Sequence, residues 1–459
     1  MTRTTDNEKE LKHMGERRSS VIWLQVLLAF CLLAPLFVLL TLPGGTMLTG
    51  GLWFWLILLM CFWMVWMMVA GSTVVATDEL QPTGPRMLPP EEQPELVRAL
   101  MDVQIATEQE RVRAFRGRLK ESAETVFTRL ESELSDETVP LLQEDEQFGA
   151  AILLMPKNVK RTILERPSRL WLHWLLFGLT FLTTTWAGAM HQGVNLLEEP
   201  ARFMAGLPYS IGLLLILGVH ELGHYFTARR HGINVSPPFF IPVPFALGTF
   251  GAFIQMKSPT QNRRSLFDVA VAGPLAGLVV AIPALLIGLQ NSEVLAPGAE
   301  PSQGLLGGTS VGSSLLFALI SKLAIGEQLE YGYLLRLSPL AFAGWLGLLV
   351  TALNLLPIGQ LDGGHMARAM FGRRAGETIG SVAMWSLFLL AIFVWPGLLF
   401  WAIIVFFIAG RGTPPLNDLT PITPGRRVLG CTTFLILALI LIPLPHAFWD
   451  AAGIYCPYL

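Results

Sequence analysis

Apolar positions along this chain gather into long blocks separated by short polar stretches. The blocks fall at about 21–42, 51–70, 171–189, 208–229, 268–290, 338–357, 378–395, 398–410 and 428–447. Roughly 20 apolar residues are needed to carry a helix across a hydrocarbon core of about 30 Å, and most of the blocks meet that length. The eighth is short and follows Trp395, Pro396 and Gly397, so 378–410 reads either as a tight hairpin of two spans or as one. The pattern predicts a mainly α fold, a polytopic membrane helix bundle of about 8–9 spans.

One long stretch breaks the pattern. Residues 71–94 form a proline-rich linker, and 95–157 read as a small soluble α+β domain. Within it a helix is expected over "ELVRALMDVQIATEQ", then a strand over "RVRAFRGRL" that its glycine ends. Glu121–Ser135 carries Val126, Leu130 and Leu134 at helical spacing, and "TVPLL" and "FGAAILLMP" read as two closing strands. One long amphipathic helix is the alternative for this region. The remaining pieces are a tail over 1–20, a two-helix membrane anchor over 21–70, a membrane core over 171–410, and a loop with a C-terminal membrane helix over 411–459.

Charge sets the orientation. If the N-terminus lies inside, the inner segments carry 29 of the 32 Lys and Arg residues, and the outer ones only Arg202, Lys322 and Arg336. Positive residues favour the cytoplasmic side, so this count supports nine crossings with a cytoplasmic N-terminus and a cytoplasmic α+β domain. Composition agrees: 52% of residues are hydrophobic and 14% charged, against about 25% charged in soluble chains. No basic block suggests a nucleic-acid partner. The first twenty residues carry both charge signs, unlike a cleaved signal, so the first span is expected to remain as an anchor. Cys31, Cys61, Cys431 and Cys456 show no CxxC spacing, which argues against a disulfide framework or a thiolate metal site.

Chemistry concentrates at "VHELGHYF" in the fourth block. His220 and His224 stand four apart, on one face of a helix about one turn from each other. Glu221 lies beside them. HExxH on a helix is the two-histidine zinc arrangement, with the Glu as general base of a metallohydrolase. Ionisable groups at membrane depth are expensive and usually functional; the alternative is a polar cluster that merely satisfies itself between helices. A catalytic zinc takes three protein ligands and an open position. The candidate third ligand is Asp362 in "NLLPIGQLDGGH", where Pro357 and Gly359 should break the sixth span and two glycines follow the carboxylate. The other reading of Asp362 is a cap on the helix "HMARAMF". His365 is excluded because a fourth ligand would close the open position, and His173, His191 and His446 have no partner in sequence reach. The proline-rich apolar stretch Ser236–Met256 cannot be helical and is expected to form a membrane-embedded extended loop. It would act either as an edge for substrate pairing or as a packing plug. Gly273 and Gly277, four apart in the fifth span, read as a small-residue face for close helix packing.

Taken together, "HELGH" and the later Asn354, Pro357, Asp362 and Gly363 resemble the site-2 protease family of intramembrane zinc metalloproteases, whose pattern is HExxH and then NxxPxxxxDG. The segment from Gly248 to Leu278 and the small domain resemble most the branch of cyanobacteria and plant plastids. That branch usually reads GNLR near the small domain, whereas here Gly117, Arg118 and Leu119 stand together without the Asn. The resemblance covers about residues 110–410. It implies one Zn²⁺ ion held by His220, His224 and Asp362, with Glu221 as the base that activates water. It implies that Asn354 holds the substrate backbone or the reaction's oxyanion. The implied function is hydrolysis of peptide bonds in or near transmembrane segments of membrane proteins. The charge-based orientation, with an intact helix hiding its carbonyls, adds the expectation of cuts at helix-weakened positions near the cytoplasmic end of a span. The expected setting is a multi-pass protein of a bacterial cytoplasmic membrane. Two other classes stay open: a membrane metal transporter using the same three residues, and an inactive scaffold relative. A transporter would favour paired motifs in repeated halves, and the chain has no second copy; an inactive relative would usually lack the Glu or a ligand, and all four are present.

Overall fold

The computed structural model describes residues 86–442, apart from 110–111, 135–137, 157–169, 244–246, 296–313, 327–333 and most of 394–413. The expected tail over 1–20, the anchor over 21–70 and most of the linker lie outside the described residues, as do most of 398–410 and the stretch after 442.

A five-stranded antiparallel sheet comes first. In chain order its surroundings are β1 (Arg86–Met87), α1 (Glu95–Leu100), β2 (Met101–Gln109), β3 (Val112–Leu119), α2 (Ala123–Leu134), β4 (Thr138–Asp145) and β5 (Gly149–Pro156). The strands lie in the order β1-β2-β3-β5-β4. The helix expected over residues 95–109 stops at Leu100. Val103, Ile105 and Thr107 alternate from there, and β-branched residues at period two favour a pleated ladder over a helix. The strand runs on to β3 past a register shift between Val103 and Ile105. Gly117 faces that irregularity, where any Cβ would overlap the Asp102 carbonyl. The single long helix considered for this region does not form. Val126, Phe127 and Leu130 of α2 are buried in one core with Phe115, Leu142 and Ile152 of the sheet.

The rest of the described residues are mainly helical. The elements are α3 (Leu170–His191), α4 (Leu207–Arg230), β6 (Phe239–Pro242), β7 (Thr249–Phe253), α5 (Arg263–Gln290), β8 (Glu293–Leu295), α6 (Leu315–Ile325), β9 (Leu334–Arg336), α7 (Pro339–Leu355), α8 (Asp362–Phe371), α9 (Arg373–Phe393) and α10 (Pro424–Leu441). Among the described residues, four helices are long and apolar enough to cross a membrane: Pro200–Arg230, Arg263–Gln290, Arg373–Ile392 and Pro424–Leu441. Leu315–Ile325 and Pro339–Leu355 are shorter apolar helices. The first of these falls in a stretch read as a plain outer segment, because eleven residues are too few for a span. Trp174, Val279, Trp385 and Phe226 point outward with well over half of their surface exposed, as side chains facing lipid do.

The inner core is built on α5, which packs most extensively against α4 and α7. Its start is fixed by a reciprocal cap in which Asn262 accepts from the Ser265 amide and Ser265 Oγ accepts from the Asn262 amide. Gly344 of α7 lies against Leu285, where a Cβ would press into the α5 backbone. The helices therefore meet at backbone distance, as small residues allow in membranes.

Candidate metal centre

Local sequence explains how each polar group arrives at one point. α4 is an unbroken helix of 24 residues, so His220 and His224 project on successive turns, with Glu221 beside them. All three side chains are buried. α7 ends at Leu355, and the chain turns through Pro357 and Gly359, the latter at φ +51°. It then starts α8 on Asp362 itself, with Leu361 as the cap residue. Asp362 is thus a first-turn residue of a new helix; the capping hydrogen bond considered for it is absent, and its carboxylate turns instead to the histidines. His224 Nε2 stands 3.2 Å and His220 Nε2 3.5 Å from Asp362 Oδ2, and the two Nε2 atoms are 3.2 Å apart.

These separations match a metal ion in size. With ligand bonds of about 2.0–2.1 Å, two ligands of a tetrahedral zinc stand roughly 3.3–3.4 Å apart. The donor chemistry agrees. His224 donates from Nδ1 to the Val269 carbonyl at 2.8 Å, which leaves Nε2 turned to the Asp362 carboxylate. An imidazole nitrogen and a carboxylate oxygen at that distance share either a proton or a metal ion, and a carbonyl behind a histidine is the usual way to orient a ligand. Among the described residues, His220, His224 and Asp362 are the group able to hold a metal. His365 lines the adjoining cavity without joining the cluster.

Two glycines carry more of the site than their sequence suggests. Gly273 and Gly277 of α5 read as a packing stripe, yet they form the seat for the rings. A Cβ on Gly273 would overlap the His224 imidazole, and one on Gly277 would lie 3.2 Å from His220 Nδ1. The signal available in the sequence was the four-residue spacing shared by the glycines and the histidines.

The cluster opens into a cavity of about 250 Å³ lined by Glu221, Asn354, His365, Ala252 and Met256 among others. Asn354 Nδ2 stands 3.3 Å from His220 Nε2. The extended stretch over 236–256 forms a hairpin of β6 and β7, with Phe239 opposite Phe253 and Phe240 opposite Ala252. Just beyond β7, Ile254 lines the same cavity as Glu221. The far end of the hairpin is held by α3 and α4: Thr183 donates to the Gly248 carbonyl at 2.7 Å and Tyr209 to the Leu247 carbonyl at 2.8 Å. His173, without a partner in sequence reach, brings Nδ1 to 3.0 Å from the Pro238 carbonyl and ties α3 to the other strand.

A carboxylate and two imidazoles converge at metal spacing with Glu221 alongside, a candidate centre of the metallohydrolase type among apolar helices. Comparison with known proteins makes the class specific. Residues 208–394 match peptidase family M50. The chain is 30% identical over 342 residues to the probable zinc metalloprotease EGY2, chloroplastic, of Arabidopsis thaliana, covering 72% of this chain and 60% of that protein. It is 35% identical over 251 residues to the probable zinc metalloprotease EGY1, chloroplastic, of Oryza sativa subsp. japonica, covering 54% and 41%. Over 358 residues it is 30% identical to the probable zinc metallopeptidase EGY3, chloroplastic, of Arabidopsis thaliana, covering 72% and 61%. The M50 match places residues 208–394 with the peptidases of the site-2 protease family, and the chain as a whole is similar to EGY-type zinc metalloproteases. It spans about 60% or less of the length of these relatives. Their chloroplastic names give no support to the bacterial cytoplasmic membrane expected from the sequence.

Proposed function

We propose that this chain is an intramembrane zinc metalloprotease that hydrolyses peptide bonds in or near transmembrane segments of membrane proteins. The observation that carries the reading is the cluster of His220, His224 and Asp362 at ligand spacing, with Glu221 at the wall of the same cavity. These three residues hold one Zn²⁺ ion. When bound, the ion supplies Lewis acidity toward a substrate carbonyl and makes water more acidic.

The chain's own residues do the rest. Glu221 takes the proton from the attacking water and passes it to the leaving amine. Asn354 offers its amide beside His220, where it steadies the substrate backbone or the oxyanion. The β6–β7 hairpin presents an extended edge to a substrate that has unwound. From His224 to Arg229 is five residues, about 7–8 Å along a helix. The site therefore sits near the end of α4 that the Lys and Arg distribution assigns to the inner side, within reach of water. Nine crossings, a cytoplasmic N-terminus and the sheet domain on that same side complete the topology.

An intact helix keeps its carbonyls in i to i−4 hydrogen bonds, so substrates should carry helix-weakening residues such as Gly or Pro near the inner end of a span. The test uses purified full chain in detergent and two model spans, one with a Gly-Pro pair at the inner end and one at the outer end. Mass spectrometry locates the cuts. The expected result is cleavage at the inner pair and its loss in Glu221→Gln, by on the order of 10²–10⁴-fold, with zinc retained. Normal cleavage by that variant would overturn the mechanism; zinc uptake by the wild type in sealed vesicles that Glu221→Gln abolishes would favour a transporter.

A further inference from the structure

Asp418 lies far from the metal centre, yet it ties together the two helices that shape it. It belongs to the segment Leu416–Thr420, which runs between the sheet and the start of α5. The Leu416 amide donates to the Thr260 carbonyl and the Asn417 amide to that of Gln261, each at 2.9 Å. On the other side the Asp418 amide donates to the Leu142 carbonyl of β4 at 2.8 Å. The carboxylate is fully buried. Its Oδ1 accepts from Arg263 Nε at 3.0 Å, and its Oδ2 accepts from Arg368 Nη2 at 2.6 Å.

Both arginines lead to the site. Arg263 opens α5, the helix whose Gly273 and Gly277 seat the two histidine rings. Arg368 sits on α8, six residues after Asp362 and one turn beyond His365 of the cavity wall. The Arg263 guanidinium also lies against Gly372, at the end of α8, where a Cβ would come within 3.2 Å of Nη2. The ten residues of α8 are therefore fixed at both ends. Gly363 holds the first turn against the Leu355 carbonyl, and Asp418 holds the last turn through Arg368 and Arg263.

We infer that Asp418 is a positioning residue for Asp362, setting the distance between the carboxylate on α8 and the imidazoles seated on α5. The inference rests on the proposed reading of the three residues as metal ligands. The reason is geometric and electrostatic together. A fully desolvated carboxylate shared by two guanidiniums is held strongly in a low-dielectric interior. Without it, two buried cations repel, and the one on α8 carries the ligand helix with it. Asp268 supplies the internal comparison. It sits on α5 itself and holds an arginine, with two bonds of 2.7 Å to Arg426, and it meets His231 at 3.0 Å. Its partners lie on α10 and just past the end of α4, and neither is a residue of α8.

The experiment measures zinc affinity by chelator competition, the visible spectrum of the Co²⁺-loaded form, and Tm, all on purified full chain in detergent. For Asp418→Asn the expected result is a 10–100-fold weaker zinc affinity and an altered Co²⁺ band. For Asp268→Asn a comparable fall in Tm is expected, with affinity and spectrum unchanged. Wild-type affinity in Asp418→Asn would overturn the proposal, and so would an equal weakening in Asp268→Asn. Should Asp418→Asn not fold, Arg368→Lys decides: it keeps the charge and loses the fork geometry. A roughly tenfold weakening is expected there, and unchanged affinity would overturn the proposal. His224→Ala separates the two levels: if it binds zinc like the wild type, the ligand assignment itself has failed.

Discussion

The candidate metal centre has two halves, held in place by different means. The histidine half comes from a single uninterrupted helix. Four residues of regular backbone set the spacing of His220 and His224, and the neighbouring helix supplies the Val269 carbonyl behind His224 and a seat without side chains at Gly273 and Gly277. The carboxylate half comes from an interruption. α7 stops at Leu355, the chain turns at Pro357 and Gly359, and Asp362 opens a new helix whose first turn presses Gly363 against the Leu355 carbonyl. Local backbone geometry secures the first half, and packing between distant segments secures the second. Perturbations should therefore act on the halves differently: the histidine half should fail only where its seat is filled, while the carboxylate half should answer to changes well outside the site.

The largest effect is expected at the seat. Gly273→Ala places a methyl group inside the His224 ring position, so zinc affinity should fall by about 100-fold or more while α4 stays helical by circular dichroism. Retained affinity would mean that the ring does not occupy this seat. A smaller effect is expected from Gly363→Ala, which pushes a methyl group into the Leu355 carbonyl. Overpacking of this kind costs about 1–3 kcal/mol of stability. The first turn of α8 should shift, and zinc affinity should weaken by roughly tenfold, as chelator competition would show. The smallest effect is expected from Gly178→Ala in α3, where nothing stands within 4 Å. Stability there should change by no more than about 0.5 kcal/mol. If Gly178→Ala disturbed zinc as much as Gly363→Ala, the contrast between the halves would collapse.

The same contrast governs how much can be read from the sequence. His220, Glu221 and His224 are legible because helix geometry converts their spacing directly into proximity. Asp362 is legible through Pro357, Gly359 and the glycines that follow it, although spacing alone does not tell a ligand from a cap. The seating role of Gly273 and Gly277 is not legible, since small residues four apart serve any close helix pair, and only the facing rings make these two specific. Met101–Gln109 reads as helix from its neighbours, whereas its alternating Val103, Ile105 and Thr107 belong to a strand that only its partners in the sheet can establish. Asp418 lies furthest from legibility. Its partners are 155 and 50 residues away, and no local pattern marks a carboxylate whose role depends on two helices meeting there.

The central claim is that the two halves meet on one ion. X-ray absorption at the zinc edge, with zinc content per chain, tests this on purified wild type and on Asp362→Asn. The account predicts one zinc per chain in the wild type, with two imidazole nitrogens and a carboxylate oxygen as protein ligands. It predicts a clear loss of occupancy in the variant, because a neutral amide is a much poorer ligand than a carboxylate. Full occupancy with an unchanged absorption spectrum in Asp362→Asn would contradict it.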